Sequence, residues 1–379
     1  MKQYDFLLVG AGLFNSVFAY QAKRHGKRCL VIDKRAHLGG NIHCEKTEGI
    51  VVHKYGPHIF HTDNKEVWDF VNTLTPFNSF TLNIIAYYKG RVFNLPFNMN
   101  TFHQMWGVVT PEEAKKKLSE IRRGNEGTAD VSVEQQALQL VGRDMYETLI
   151  KGYTEKQWGR PCEELPGTIL KRLPVRFTYD NNYFTDRYQG IPQEGYDKLV
   201  ERLLQGVECR TGCNYFGDKD YFDRLADKIV FSGAIDEFFN YEFGALEYRS
   251  LHFEEATVMT DNWQGNAVVN YTDREVPYTR IIEHKHFDAG NAEAMRMPVT
   301  IITKEYPLPV TLGERSKTEL YYPVNDERNN RLYGKYRERA GQSPRVIFGG
   351  RLAEYRYMDM DDVIESSMRI FEQTKTDRI

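Results

Sequence analysis

Three arginines, Arg172, Arg249 and Arg280, are well suited to hold a diphosphate, because a guanidinium presents two parallel N–H donors to paired oxygens. An isolated arginine defaults to a solvated surface ion pair, so these three mark a site only if other groups converge on them. Histidines occur as two close pairs: His58 and His61 in Gly56-Pro57-His58-Ile59-Phe60-His61, and His284 and His286 in Glu283-His284-Lys285-His286. A metal requires converging ligands and carboxylate support, so no metal site is expected. A histidine against the face of a flavin is an equally natural use. The chain has no nucleophile elbow, Walker loop or repeated carboxylate motif. Chemistry without a side-chain nucleophile falls to a cofactor.

A binding element for such a cofactor stands at the start of the chain. The apolar run Tyr4-Asp5-Phe6-Leu7-Leu8-Val9 reads as a buried strand, and Gly10-Ala11-Gly12-Leu13-Phe14-Asn15 follows it. Gly10 and Gly12 allow a tight turn and close approach to a pyrophosphate, seated on the helix expected over 13–25 with Leu13 and Phe14 in its first turn. A second strand over 28–32 ends at Asp33, about twenty residues past the glycines, where an acid can accept a ribose hydroxyl. Asn15 replaces the third glycine of the fingerprint, which normally lets helix and strand pack closely. Asp33-Lys34-Arg35 and then Gly39-Gly40-Asn41 resemble the extension of two-dinucleotide-domain flavoproteins. Towards the other end, a strand over 345–348 leaves into Gly349-Gly350-Arg351. The helix expected over 360–373 can aim its positive end at a flavin pyrimidine.

With 379 residues, 41% of them hydrophobic, the chain can bury a large core in two or three domains. A net charge of −3 argues against nucleic-acid binding. There is no leader pattern and no apolar run of membrane-spanning length. Five cysteines, an odd number without zinc-ribbon spacing, read as reduced thiols of a cytoplasmic protein. The 24 Tyr, 22 Phe and 4 Trp suit a site that stacks a base and offers hydroxyls to phosphate.

Periodicity and caps place helices over 68–74, 101–106, 112–122, 133–140 and 144–152, the fourth opened by a Ser132/Gln135 capping box and closed by Gly142. A hairpin over 82–93 turns at Lys89-Gly90. A loop covers 124–130, and an irregular stretch over 159–180 carries Arg172 and Arg176 and has the length of a lid. A helix over 196–204 and a strand over 228–232 repeat the character of the first segment. Alternating stretches at 267–271 and 279–284 suggest an antiparallel sheet.

Longer motifs are more specific. Tyr153-Thr154-Glu155-Lys156-Gln157-Trp158-Gly159, Arg172-Leu173-Pro174-Val175-Arg176-Phe177, Asn94-Leu95-Pro96-Phe97-Asn98-Met99-Asn100-Thr101, Pro277-Tyr278-Thr279-Arg280-Ile281-Ile282-Glu283-His284-Lys285 and Gly350-Arg351-Leu352-Ala353-Glu354-Tyr355-Arg356-Tyr357-Met358-Asp359-Met360 resemble bacterial UDP-galactopyranose mutases. The resemblance extends over essentially the whole chain. It implies an α/β fold with a Rossmann-like FAD-binding domain from 1–78, 190–240 and 324–379. It further implies a helical domain over 98–172 and an antiparallel sheet domain from 79–97, 173–189 and 241–323. The implied activity interconverts UDP-galactopyranose and UDP-galactofuranose, with N5 of reduced FAD attacking the anomeric carbon and UDP leaving. A homodimer is also implied.

Carried over by motif, Tyr153 stacks the uracil, with Thr154 and Trp158 lining its pocket. Arg172, on a mobile loop, and Arg280 face the diphosphate and, with His61, form the catalytic set. Arg249, Tyr183, Asn270, Tyr322 and Tyr357 complete the substrate contacts, the last two through hydroxyls at phosphate. FAD contacts fall to Gly10, Gly12, Leu13, Phe14, Asp33, Lys34, Gly40, Asn41, His58, His61, Arg351, Tyr357, Asp359 and Met360. Three departures stand out: Asn15, Leu320 where the family often has proline, and Gln193-Glu194-Gly195 in place of a glycine-richer turn. The last puts an acid that could alter recognition near the flavin. Two other readings fit parts of the pattern: a flavin oxidoreductase resembling amine oxidases, and a non-catalytic UDP-sugar binder that keeps FAD structurally.

Overall fold

The computed structural model describes residues 2–122, 131–288, 290–310, 312–315 and 318–376. The loop expected over 124–130 lies outside them. The opening apolar run forms a strand, Tyr4–Val9, at the centre of a five-stranded parallel sheet. The sheet order is Val346–Phe348, Ala226–Phe231, Tyr4–Val9, Cys29–Ile32, Glu208–Arg210. Leu7, Leu8, Leu30, Val31 and Ile32 are fully buried, as strands covered on both faces require. The helix Leu13–Arg24 follows the glycines and packs beside Met360–Thr376, with Phe18 edge-on to Phe6 at 5.1 Å and to Phe371 at 5.3 Å. Segments far apart in sequence thus build one α/β layer.

Asn15 has a structural explanation. It is fully buried, and its amide donates to the Val9 carbonyl (2.9 Å), the Gly10 carbonyl (2.8 Å) and Ser232 Oγ (3.1 Å). Where a glycine would permit close packing, this asparagine ties the exits of two neighbouring strands together. Each such bond contributes about 1 kcal/mol net.

The second sheet has seven strands, in the order Tyr322–Pro323, Tyr248–Val258, Thr300–Pro309, Arg280–Glu283, Val268–Tyr271, Ile84–Tyr88, Arg91–Leu95. It is antiparallel, as expected, except that Val268–Tyr271 runs parallel to Ile84–Tyr88. The expected hairpin turn is present, with positive φ at Lys89 (46°) and Gly90 (82°), the pair of values that a tight two-residue connection needs.

The expected helix ending at Gly152 is corrected. Instead Gly142–Met145 passes through a π-helical turn at Tyr146–Ile150 into Lys151–Trp158, and the stop falls at Gly159. Gly152 is there for close approach: a Cβ on it would lie 2.3 Å from the Thr272 carbonyl oxygen. The helix therefore packs backbone to backbone on the second sheet, and the whole Tyr153-to-Trp158 motif is helical. The Ser132/Gln135 capping box forms, and Val133–Leu140 closes as expected, with Val141 at its cap and Gly142 following at φ 80°. Within 159–180 the structure adds a 3₁₀ segment, Gly167–Arg172, and Arg176 donates to the carbonyls of Asn182 and Tyr183. The helix Glu327–Gly341, absent from the sequence expectations, is mostly polar and carries a narrow stripe, with Leu332, Tyr333 and Ala340 packed on the cluster that holds the buried Tyr336. Among the described residues no helix is long and apolar enough to cross a membrane.

Candidate functional site

At the carboxyl ends of the parallel strands lies a cavity of about 320 Å³. Its lining includes Gly10, Gly12, Leu13, Phe14, Asp33, Lys34, Gly40, Asn41, His58, Arg351 and Met360. Gly40 shows how it is shaped: at φ 57° a Cβ there would sit 2.9 Å from the Gly12 Cα, so the two glycine backbones are in direct contact. Asp33 is buried and accepts from the amides of Ala11 (2.7 Å) and Arg35 (2.8 Å), which holds the acid at the strand end. Helix Met360–Thr376 begins at the cavity, with Met360 in the lining. The long glycine-walled cleft with a terminal acid and two helix N-termini fits a dinucleotide.

A second cavity of about 310 Å³ opens between the second sheet, the helix Lys151–Trp158 and the segments 57–61 and 351–360. It shares His58, Arg351, Met358 and Met360 with the first, so these four residues separate two adjoining chambers. Tyr153, Thr154, Tyr183, Asn270, Arg280, Tyr322, Tyr357, Asp359 and His61 all line it. Of the FAD contacts implied by resemblance, His61, Tyr357 and Asp359 therefore face the second chamber and do not line the first.

Arg280 brings a guanidinium into this chamber. Its Nε and Nη2 both donate to Glu305 Oε2, at 2.8 and 2.6 Å, and Glu305 is 1% exposed. The two residues face each other in the Arg280–Glu283/Thr300–Pro309 register, so the sheet itself aligns the pair. Burial would lower the guanidinium pKa, but the Glu305 charge outweighs it and the shift is upward. Arg280 thus stays charged with donors left for a ligand. Tyr322 stacks on Tyr357 at 6.0 Å with Arg351 over its ring, and burial pushes its hydroxyl up to about 12. Tyr153 is likewise raised by burial, so both are neutral hydroxyls at pH 7. Asn270 lines the chamber, and its Oδ1 is buried without a hydrogen-bond partner. His61 stacks on Phe184 at 3.7 Å, with Nδ1 3.2 Å from Asp186.

Two assigned residues lie outside the lining. Arg249 Nε donates to the Gln157 carbonyl at 3.0 Å and its guanidinium packs on Gly159, so it braces the end of the Tyr153 helix. Trp158 packs against the main hydrophobic core. The Arg172 side chain lies outside the described residues; its neighbour Leu173 lines the chamber. Glu194 is exposed and lines neither cavity, so its expected influence near the flavin is not supported. Leu320 lines the first cavity.

Sequence reading missed Glu305 and Lys156. Lys156 Nζ donates to the carbonyls of Tyr271 (2.7 Å), Asp273 (2.8 Å), Val276 (3.0 Å) and Tyr278 (2.9 Å). One ammonium thereby fixes the turn between Asn270 and Arg280 against the helix that carries Tyr153. Both residues sit inside recognisable motifs or strands, but partners more than twenty residues away leave no local signal.

Burial holds the His58 imidazole down to about 4; its bond to the Gly56 carbonyl opposes this, and the Arg351 and Arg280 charges reinforce it. His284, which bonds Thr303 Oγ1 at 2.8 Å, is held by burial to about 3. Both rings are neutral at pH 7. Below about pH 6.5 the unfolded chain takes up protons that these folded rings refuse. Stability is therefore expected to be full above about pH 6.5 and to fall below it, by up to about 1.4 kcal/mol per pH unit per ring, until each folded value is reached. Denaturant midpoints between about pH 7.5 and 5 check this; a flat profile would mean that neither ring is held neutral.

A family model described as UDP-galactopyranose mutase matches residues 148–357, and one for an NAD(P)-binding Rossmann-like domain matches 8–74. The dTDP-fucopyranose mutase of Escherichia coli is 39% identical over 372 residues, 96% of each chain. A probable UDP-galactopyranose mutase of Klebsiella pneumoniae is 37% identical, covering 97% of this chain and 94% of its own. The crystal structure of a reduced UDP-galactopyranose mutase superposes with a TM-score of 0.76 over 99% of this chain and 94% of that one; at 13% identity it supports the fold alone. Fold and relatives define an isomerase of the mutase class, built on a Rossmann-like dinucleotide domain. The chain belongs to the UDP-galactopyranose mutase family.

Proposed function

We propose that the protein is a flavin-dependent mutase that interconverts the pyranose and furanose forms of a UDP-galactose-type nucleotide sugar. The observation that carries this is the shared boundary of the two chambers: a dinucleotide cleft and a cation-bearing ligand cavity meet at His58, Arg351, Met358 and Met360. FAD in the first chamber supplies, when reduced, N5 as a nucleophile towards the anomeric carbon. Arg280 grips the diphosphate and stabilises its charge as it leaves, and Glu305 keeps the guanidinium in place. Arg172 joins it from the segment ahead of Leu173. The hydroxyls of Tyr322 and Tyr357 donate to phosphate oxygens, Tyr153 stacks the base, and Asn270 hydrogen-bonds a sugar hydroxyl. His58, neutral at the boundary, neither competes for the diphosphate nor adds charge beside the sugar. The similarity to a dTDP-fucopyranose mutase brings dTDP-fucopyranose within the same reading. By the same family likeness the protein is a cytoplasmic homodimer in this reading; sedimentation tests the dimer, and cell fractionation the location.

The test is incubation of the flavin-loaded protein with UDP-galactofuranose and with dTDP-fucofuranose, with and without dithionite. Pyranose product from at least one under reducing conditions, and little without reductant, is expected. Sustained oxygen or NAD(P)H consumption without isomerisation would replace the reading with an oxidoreductase.

A further inference from the structure

We propose that the hexose this site is shaped to hold is a 6-deoxyhexose, its C6 methyl resting on a wall of Leu82, Ile84 and Val268. This rests on the nucleotide-sugar reading above. Leu82 and Ile84 are two residues apart on an extended segment, so they share a face, and both line the second chamber. Ile84 is in register with Val268 on the neighbouring strand, which lines the chamber too. The three side chains, 5%, 6% and 1% exposed, make one continuous aliphatic patch.

The patch lies at the end where the sugar must react. The Leu82 carbonyl accepts from the Tyr183 amide at 2.7 Å, and the next residue, Phe184, lies on the His61 ring. Tyr183, Phe184 and His61 all line this chamber, and His58, three residues from His61, is part of the boundary with the dinucleotide cleft. Two residues beyond Val268 on the same face, Asn270 brings a single unpartnered acceptor, Oδ1. Thr272, the next position, already donates its hydroxyl to the Thr148 carbonyl at 2.7 Å. Along this strand the hydrogen-bonding capacity for the sugar is therefore concentrated in Asn270.

Pyranose–furanose exchange in a galactose-configured sugar involves C1, the ring oxygen and the C4 and C5 hydroxyls. C6 forms and breaks no bond. Its substituent is read only by the surface it touches. A C6 hydroxyl on three aliphatic side chains loses its water partners and gains none, whereas a methyl keeps the same contact without that cost.

The reduced, FAD-loaded protein should be assayed with four furanose probes: the UDP and dTDP derivatives of galactose and of its 6-deoxy analogue, fucose. With either base, kcat/KM for the 6-deoxy sugar is expected to exceed that for galactose by about tenfold or more. Leu82→Asn, which adds a hydrogen-bonding group to the wall, should narrow or reverse that ratio. Equal turnover, a galactose preference, or a preference that follows the base and not the sugar would overturn the inference while leaving the mutase reading intact. Turnover of none of the four would instead remove the mutase reading and this inference with it. If Leu82→Asn does not load flavin, the four-probe comparison on the unaltered protein decides.

Discussion

Replacing Arg280 with alanine is expected to lower kcat/KM about 10²–10³-fold, because the transition state then loses its main charge-bearing donor for the departing diphosphate. Arg280→Lys should fall almost as far: an ammonium at the end of a flexible stem cannot meet Glu305 and a diphosphate in the same plane. Stability separates from activity here. The alanine variant strands the Glu305 carboxylate, 1% exposed, and breaking such a pair costs about 3–5 kcal/mol. A lone buried carboxylate relieves itself by taking a proton. Its folded pKa is raised above the unfolded value, so the deficit of the variant should shrink as the pH is lowered through that raised value. The double variant Arg280→Met/Glu305→Met should regain stability and stay inactive. Steady-state kinetics and denaturant melts check both halves. Unchanged kcat/KM in Arg280→Ala would take the residue out of the mechanism.

Lys156→Met is the second large effect. Four carbonyls from Tyr271, Asp273, Val276 and Tyr278 surround an ammonium that has three protons, so at least one bond is shared and all four acceptors depend on a single group. Removing it is expected to cost about 3–5 kcal/mol, since each carbonyl left dry costs about 1–3 kcal/mol and local shifts admit some water. The loss should not be uniform. The turn lies between Asn270 and Arg280, and the helix opposite carries Tyr153, so KM for the nucleotide sugar should rise several-fold more than the Kd for FAD. Arginine does not substitute, because its planar fork cannot converge on four acceptors. A variant that melts at the normal denaturant concentration would show that the turn holds without the lysine.

The dinucleotide chamber was largely legible in the sequence because its determinants are local. Gly10, Gly12 and Asp33 follow one another at spacings that strand and helix geometry dictate, and the structure brings them to one cleft. The second chamber was legible only in part. Tyr153, Asn270, Arg280 and Tyr322 could be named from motifs, but the Arg280–Glu305 pairing depends on strand register across 25 residues, which no periodicity reports. The parallel pairing of Ile84–Tyr88 with Val268–Tyr271 joins segments far apart in the chain and has no sequence signature at all. Gly152 misleads for a physical reason: glycine marks both a helix stop and a close backbone contact, and only the Thr272 carbonyl, 2.3 Å from where a Cβ would be, distinguishes them. Arg249 misleads in a similar way, since the guanidinium that suits a phosphate suits the carbonyl of Gln157 equally well.

The strand Val346–Phe348 and the residues that follow have a consequence for how the protein is made. Gly350, Arg351, Leu352, Met358, Met360 and Val363 complete the lining of a cleft whose other wall is built by residues 9–14. Ser367 Oγ donates to the Phe14 carbonyl at 2.8 Å, tying the closing helix to the opening turn. During synthesis the first turn emerges early and must wait for this last segment before its wall has an opposite side. The cleft is therefore complete only once this helix has been made and has docked, and until then the apolar Phe14 lacks the cover that the helix provides.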